Sequence, residues 1–243
     1  MLVKSVIKDI QSLALKKHRE QKGCYLAEGP KMIDELLRHH RQQIVSIYAT
    51  QDWVDINRSL CNDLSVVSIT ESELLRISQW HSPHQVVAVV RQPMYSNPVA
   101  TDQLTLVCCG LQDPGNLGTI IRTADWFGVR QLVCSPDTVD CFNPKVVQST
   151  MGSIFRMAIH YLDVERWIDQ YAEVPVLAAT LQGTDVRTLS PYSEAILLIG
   201  SESTGIPAAL LAKANVSVSI PAKGKAESLN AAVAAGILLS YLS

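Results

Sequence analysis

The chain has 243 residues, 47% of them hydrophobic, and a formal net charge of −2, with no apolar run long enough to span a bilayer. That length supports a substantial core, either one large domain or a small domain joined to a larger one, and the balance of charge excludes a polycation. Nucleic-acid binding stays open, because it needs only a local basic face.

The opening stretch MLVKSVIKDIQSLALKKHRE predicts an amphipathic helix over about 3–20. Residues 1–31 carry seven Lys or Arg against three acids, which is either a basic face or an ordinary solvated helix. Strand CYLAE, a helix over 30–41, strand IVSIYA, a helix over 51–62, strand LSVVSI, a helix over 71–79 and strand QVVAVV follow. This alternation predicts a small α/β unit. RQPMYSNPVATD interrupts it, so the expected division is a first domain over 1–91, a linker at 92–102 and a second domain over 103–243.

Beyond the linker, LTLVCC, RQLVCS, FRMAIHYL, VPVLAAT, AILLIG and NVSVSIP are apolar runs. Such runs predict strands covered on both faces, hence a mostly parallel, doubly wound α/β sheet. The closing SLNAAVAAGILLSYL predicts a largely buried helix whose small residues allow close backbone approach. LQDPGN, LQGTD, GSESTG and PAKGKAESLN each follow a predicted strand. The carboxyl edge of an open parallel sheet is where ligands bind, so these four loops predict one site.

The site is not a familiar nucleotide loop. Gly110, Gly115 and Gly118 do not give G-x-G-x-x-G, Asp113 would set a carboxylate beside a pyrophosphate, and Pro114 lacks an N–H. Asp137 reads as a turn residue, and no G-x-x-x-x-G-K-[ST] occurs. The six cysteines form no C-x-x-C pair and several sit in apolar runs, as expected of reduced thiols in a cytoplasmic protein. No metal spacing is present, and His160 reads as a core or surface residue.

D-P-G-N-L-G-T-I-I-R-T-A (113–124), I-G-S-E-S-T-G-I-P (199–207) and I-P-A-K-G-K-A-E-S-L-N (220–230) resemble, in order and spacing, the three motifs of the SpoU, or TrmH-like, RNA ribose 2′-O-methyltransferases. The resemblance covers about 104–243 and implies the SPOUT fold, with a deep trefoil knot around S-adenosylmethionine. More loosely, K-x-x-x-x-x-G-C-Y-L-A-E-G-P (17–30) resembles that family's substrate-binding domain, a fold like ribosomal protein L30e. Ser203 replaces the usual Gly, Ala222 a common Met, and Ala-Ala follows Asn230 where Val-Ser is usual.

The resemblance implies a catalytic set of Asn116, Arg122, Glu202, Ser228 and Asn230. It implies a cofactor pocket from Thr180, Leu181, Gly183, Gly200, Glu202, Gly205, Ile220, Pro221 and Leu229. Gly200 and Gly205 would let backbone approach the adenosine. Four of these polar residues also have a plainer reading, whereas Asn230, two residues into an otherwise apolar helix, is harder to assign to structure alone. Asn116 could tie its own loop, Arg122 could pair with Asp125 or Asp113, Glu202 could head the helix that follows it, and Ser228 could cap the final helix. Lys16, Lys17 and Arg19, with Arg122, are the expected RNA contacts. The whole implies an S-adenosylmethionine-dependent enzyme without metal or membrane association, a homodimer acting on ribosomal RNA in preference to transfer RNA. The competing expectation is a non-catalytic RNA-binding protein that keeps the fold.

Overall fold

The expected first helix is broken into α1 (Lys4–Ser12) and α2 (Lys16–Lys22). The computed structural model describes residues 2–243. The break turns Leu13 into the core beside Ile7 and Ile10. It also buries Arg19, which is 2% exposed and donates to the carbonyls of Leu13 and Ala14 at 2.8 and 2.7 Å. A guanidinium spent on those helix-end carbonyls is a structural clamp, so Arg19 is withdrawn from the expected RNA contacts. Lys16 and Lys17 remain exposed, and Lys16 lies 3.8 Å from Glu20.

The elements that follow are β1 (Cys24–Glu28), α3 (Pro30–His39), β2 (Ile44–Ala49), α4 (Gln51–Ile56), β3 (Val66–Ser68), α5 (Glu71–Ile77) and β4 (Val86–Arg91). They form a mixed sheet in the order β1-β4-β2-β3, with β4 antiparallel to both neighbours. Helix α5 starts on a capping box in which Thr70 and Glu73 satisfy each other's backbone N–H groups. Helix α4 stops short of the expected 62, giving way to a 3₁₀ turn at Arg58–Leu60.

The second half runs β5 (Leu104–Cys109), α6 (Pro114–Trp126), β6 (Gln131–Cys134), α7 (Pro144–Ser149), β7 (Ala158–Tyr161), α8 (Val164–Ile168), β8 (Val176–Asp185), β9 (Ala195–Gly200), α9 (Ala208–Leu211), β10 (Val216–Ser219) and α10 (Ala231–Leu242). Its sheet is wholly parallel in the order β10-β8-β9-β5-β6-β7. Val107, Val133, Ile196 and Leu198 of the central strands pack with Trp167 and Ile168 of α8. Helices α6 and α10 pack against each other.

Two compact units result. One holds the chain up to Met94 together with Phe142–Phe155, and the other holds Tyr95–Cys141 and Arg156–Ser243. Helix α7 thus belongs with the first sheet, where it packs on β1 and the Phe142 ring lies 4.6 Å from that of Tyr25. Nothing in the sequence around 142–155 announces that excursion.

The cysteines are all free, and Cys108, Cys109, Cys134 and Cys141 are buried. Burial pushes the Cys109 thiol up to about 12, which keeps it protonated and inert. His160 is half-buried against Tyr95, and burial lowers its pKa, so it stays neutral as a packing residue. Among the described residues no helix is long and apolar enough to cross a membrane, and no group of three or more His, Cys, Asp or Glu could hold a metal ion.

Candidate active site

The D-P-G-N stretch that fails as a phosphate loop is a helix start. Asp113 is the N-cap of α6, its carboxylate accepting from Asn116 N at 2.8 Å, and Pro114 sits at the first helical position where no N–H is needed. Asp113 therefore ties the loop, and the Asn116 side chain is free for other partners. Its Nδ2 donates to Glu202 Oε1, and its Oδ1 accepts from Asn230 Nδ2 at 2.8 Å. Residues from three separate motifs meet there.

Asn230 also caps α10. Its Oδ1 accepts from Ala232 N at 3.0 Å and Val233 N at 3.3 Å. The cap therefore belongs to Asn230, not to Ser228, which lies exposed before the helix. Glu202 does not cap the helix that follows it either: α9 has Pro207 as N-cap with no side-chain bond. The chain of bonds is directional. Helix N–H groups fix the Asn230 oxygen, which turns its amide nitrogen to Asn116, which in turn presents its own nitrogen to Glu202.

Arg122 lies exposed on α6 and makes no ion pair or hydrogen bond among the described residues. The carboxylates named as its plainer partners are occupied: Asp113 caps the helix, and Asp125 pairs with Arg156 at 2.6 Å. An unpaired guanidinium on the same helix as Asn116 is available to an anion from outside.

Behind this cluster lies a cavity of about 630 Å³. Thr180, Leu181, Gly200, Glu202, Gly205, Ile220, Pro221, Ser228 and Leu229 all line it, and Gly183, Asn116, Arg122 and Asn230 do not. Ile206, Leu211, Ala231, Ala234 and Leu238 complete its apolar wall, with Lys223 and Glu227 at the polar side. The α10 residues among them lie outside the three motifs, although Ala231, Ala234 and Leu238 follow helical spacing just after Asn230.

The expected loop LQGTD is instead part of β8. The pairing of β8 with β10 shifts register, with Ala178 opposite Ser217 and Thr184 opposite Val218, so residues 179–183 bulge out and carry Thr180 and Leu181 into the cavity. Gly183 permits the return: a Cβ there would stand 2.4 Å from Ser217 O. Gly200 acts in the same way, since a Cβ would stand 2.3 Å from the Gly205 carbonyl carbon. Its role is thus to let its own loop close, whereas Gly205 has φ +67° and free space where a Cβ would go.

The profile of the SpoU rRNA Methylase family matches residues 103–240, and that of the MRM3-like substrate binding domain matches residues 4–88. The 23S rRNA guanosine 2′-O-methyltransferase RlmP of Bacillus subtilis is 33% identical, covering 97% of this chain and 95% of its own. The AdoMet-bound rRNA methyltransferase of Sinorhizobium meliloti superposes with TM-score 0.83 at 33% identity, over 98% of this chain and 94% of that one. AviRb of Streptomyces viridochromogenes, a SpoU methyltransferase solved with AdoMet, gives 0.84 at 25% identity, over 98% and 96%. The parallel sheet is that of a SPOUT methyltransferase fold. This chain belongs to the SpoU rRNA methylase family.

Proposed function

We propose that this protein is an S-adenosylmethionine-dependent 2′-O-methyltransferase of RNA ribose, acting on ribosomal RNA. The observation that carries the reading is the Glu202–Asn116–Asn230 network at the rim of the cavity, with Arg122 unpaired on the same helix as Asn116. The cavity suits the cofactor: an apolar wall for adenosine, and Glu202 and Glu227 for its positive groups. Two structures similar to this chain were solved with AdoMet.

When bound, S-adenosylmethionine supplies an electrophilic methyl group. The chain's residues must bring one ribose hydroxyl into line with it and accommodate the hydroxyl proton. Asn116 is held on both sides, so its amide is a fixed element of the surface that orients the ribose. Arg122 holds the neighbouring phosphate with its forked donors. A guanidinium holds its proton too tightly to serve readily as a base, so the anchoring role suits it better. Ser228, exposed at the cavity, completes the polar rim.

The reading includes a homodimer. Trp126 on α6 and Val233 and Tyr241 on α10, two helices that pack together, are large apolar side chains 84%, 50% and 42% exposed, which a second copy would take out of water. It also includes a trefoil knot in the second unit, a cytoplasmic location, and substrate gathering by residues 1–91, with Lys16 and Lys17 as the basic contacts left on α2.

Isothermal titration with S-adenosylmethionine, followed by transfer of labelled methyl to ribosomal and transfer RNA, tests the proposal. Binding with transfer to ribosomal RNA is expected. Absence of cofactor binding would sink it, binding without transfer would favour the non-catalytic alternative, and transfer to transfer RNA alone would overturn the substrate.

A further inference from the structure

Most of the basic residues of α2 are engaged within the first unit, which leaves Lys17 as the helix's fully free cation among the described residues. Arg19 is buried, Lys16 lies beside Glu20, and Lys22 is paired with Asp9. A different feature has been built at some cost. Glu28, at the end of β1, is 8% exposed, and burial raises its pKa. Its carboxylate accepts from Ser78 Oγ at 2.5 Å and from Gln79 N at 2.9 Å. Gly29 N donates to Val86 O at 2.9 Å. The loop that leaves α5 and enters β4 is therefore fastened at both roots to two consecutive residues, Glu28 and Gly29. A surface loop with its ends pinned together is a preformed presenting element.

What the loop presents is Gln79, Trp80, His81, Ser82, Pro83, His84 and Gln85, without a carboxylate. Trp80 is 38% exposed, and His81, Ser82, His84 and Gln85 are exposed. Pro30 and the exposed Lys31 open α3 directly after Gly29. An indole with neighbouring cationic and neutral donors, and no anion, is the chemistry that takes an unpaired base and its backbone. It offers nothing to the closed stack of a duplex.

Resting on the proposed function, we infer that the Gln79–Gln85 loop is the RNA-recognition loop of the first unit. In it Trp80 stacks an unpaired base, while His81, His84 and Lys31 hold the adjoining backbone. Glu28 acts as a positioning residue that fixes the loop's root.

The test uses the full chain and two labelled RNAs, a hairpin with an unpaired loop and a blunt duplex, read by fluorescence anisotropy. Trp80→Ala should weaken hairpin binding by about fivefold or more, the scale of one lost base stack. Trp80→Phe should restore most of it, and duplex binding should not change. His81→Ala with His84→Ala should give a smaller loss, from the hydrogen bonds they make to the backbone. Thermal melting and cofactor titration identify a misfolded variant, for which Trp80→Phe alone then serves, with a reduced but measurable preference for the hairpin. Wild-type hairpin affinity in Trp80→Ala, equal loss in both Trp80 variants, or failure of the wild type to bind the hairpin overturns the inference. Hairpin binding through Trp80 without methyl transfer would leave the loop standing and remove the enzyme; transfer with unaffected Trp80→Ala binding would do the reverse.

Discussion

Asn230 Nδ2 donates to Asn116 Oδ1 at 2.8 Å, joining the first turn of α6 to the cap of α10. The same Asn230 side chain accepts from the N–H groups of Ala232 and Val233. Two substitutions separate these duties. Asn230→Ala removes both, and should cost about 1 kcal/mol of stability, the usual loss of a cap, together with most methyl transfer. Asn230→Asp keeps a competent cap but turns an acceptor toward an acceptor. Its melting temperature should stay near wild type while single-turnover transfer falls about tenfold or more. Wild-type transfer by Asn230→Asp would show that the orientation of Asn116 does not matter.

Arg122 is exposed and unpaired, so its removal should leave the fold intact. Arg122→Ala is expected to change stability by less than about 0.5 kcal/mol and to leave S-adenosylmethionine affinity largely unchanged. Methyl transfer should be abolished. Arg122→Lys keeps the charge without the fork, and intermediate activity would indicate bidentate phosphate contact. Full activity of Arg122→Ala would remove it from the mechanism.

Gly200 is squeezed between its own strand end and Gly205. An alanine there must displace backbone, since the contact would be 2.3 Å. Overpacking of this kind costs about 1–3 kcal/mol, and Gly200→Ala should lose cofactor binding by calorimetry because the loop beneath the cavity shifts. Tight binding with wild-type melting would mean the loop yields more easily than its geometry implies.

Glu28 makes stability depend on pH. Burial raises its folded pKa above the usual 4.5, against the opposing hydrogen bonds from Ser78 and Gln79. The folded chain thus holds this proton more tightly than the unfolded one. Its contribution is most favourable below the unfolded pKa and declines as pH rises through the folded value. Glu28→Gln keeps an acceptor for Gln79 N without the buried charge. Urea midpoints should show it at least as stable as wild type near pH 7, with that advantage shrinking toward pH 4. An advantage that grows on acidification would contradict the assigned direction.

The parallel sheet was legible because β5, β6 and β9 are almost continuous apolar runs, buried along their length. The site was legible as three motifs, but the duties of their residues were not. Spacing could not tell whether Ser228 or Asn230 caps α10, since either residue type can head a helix. LQGTD has the composition of a loop, and only its pairing across β10 shows a bulge. The early end of α1 was hidden by an apolar spacing that fits one helix through Leu13. What decides the break is a buried Arg19 reaching back to the Leu13 and Ala14 carbonyls, a tertiary choice that helical periodicity does not encode.

The placement of Phe142–Phe155 with the first unit bears on how this chain can be recombined. A chimera joined at 92–102, with a first half from a relative, would set a foreign β1 against the native α7 and exchange the ring that meets Phe142. Viable hybrids should carry 142–155 along with the N-terminal half, so the unit of exchange is discontinuous in the gene.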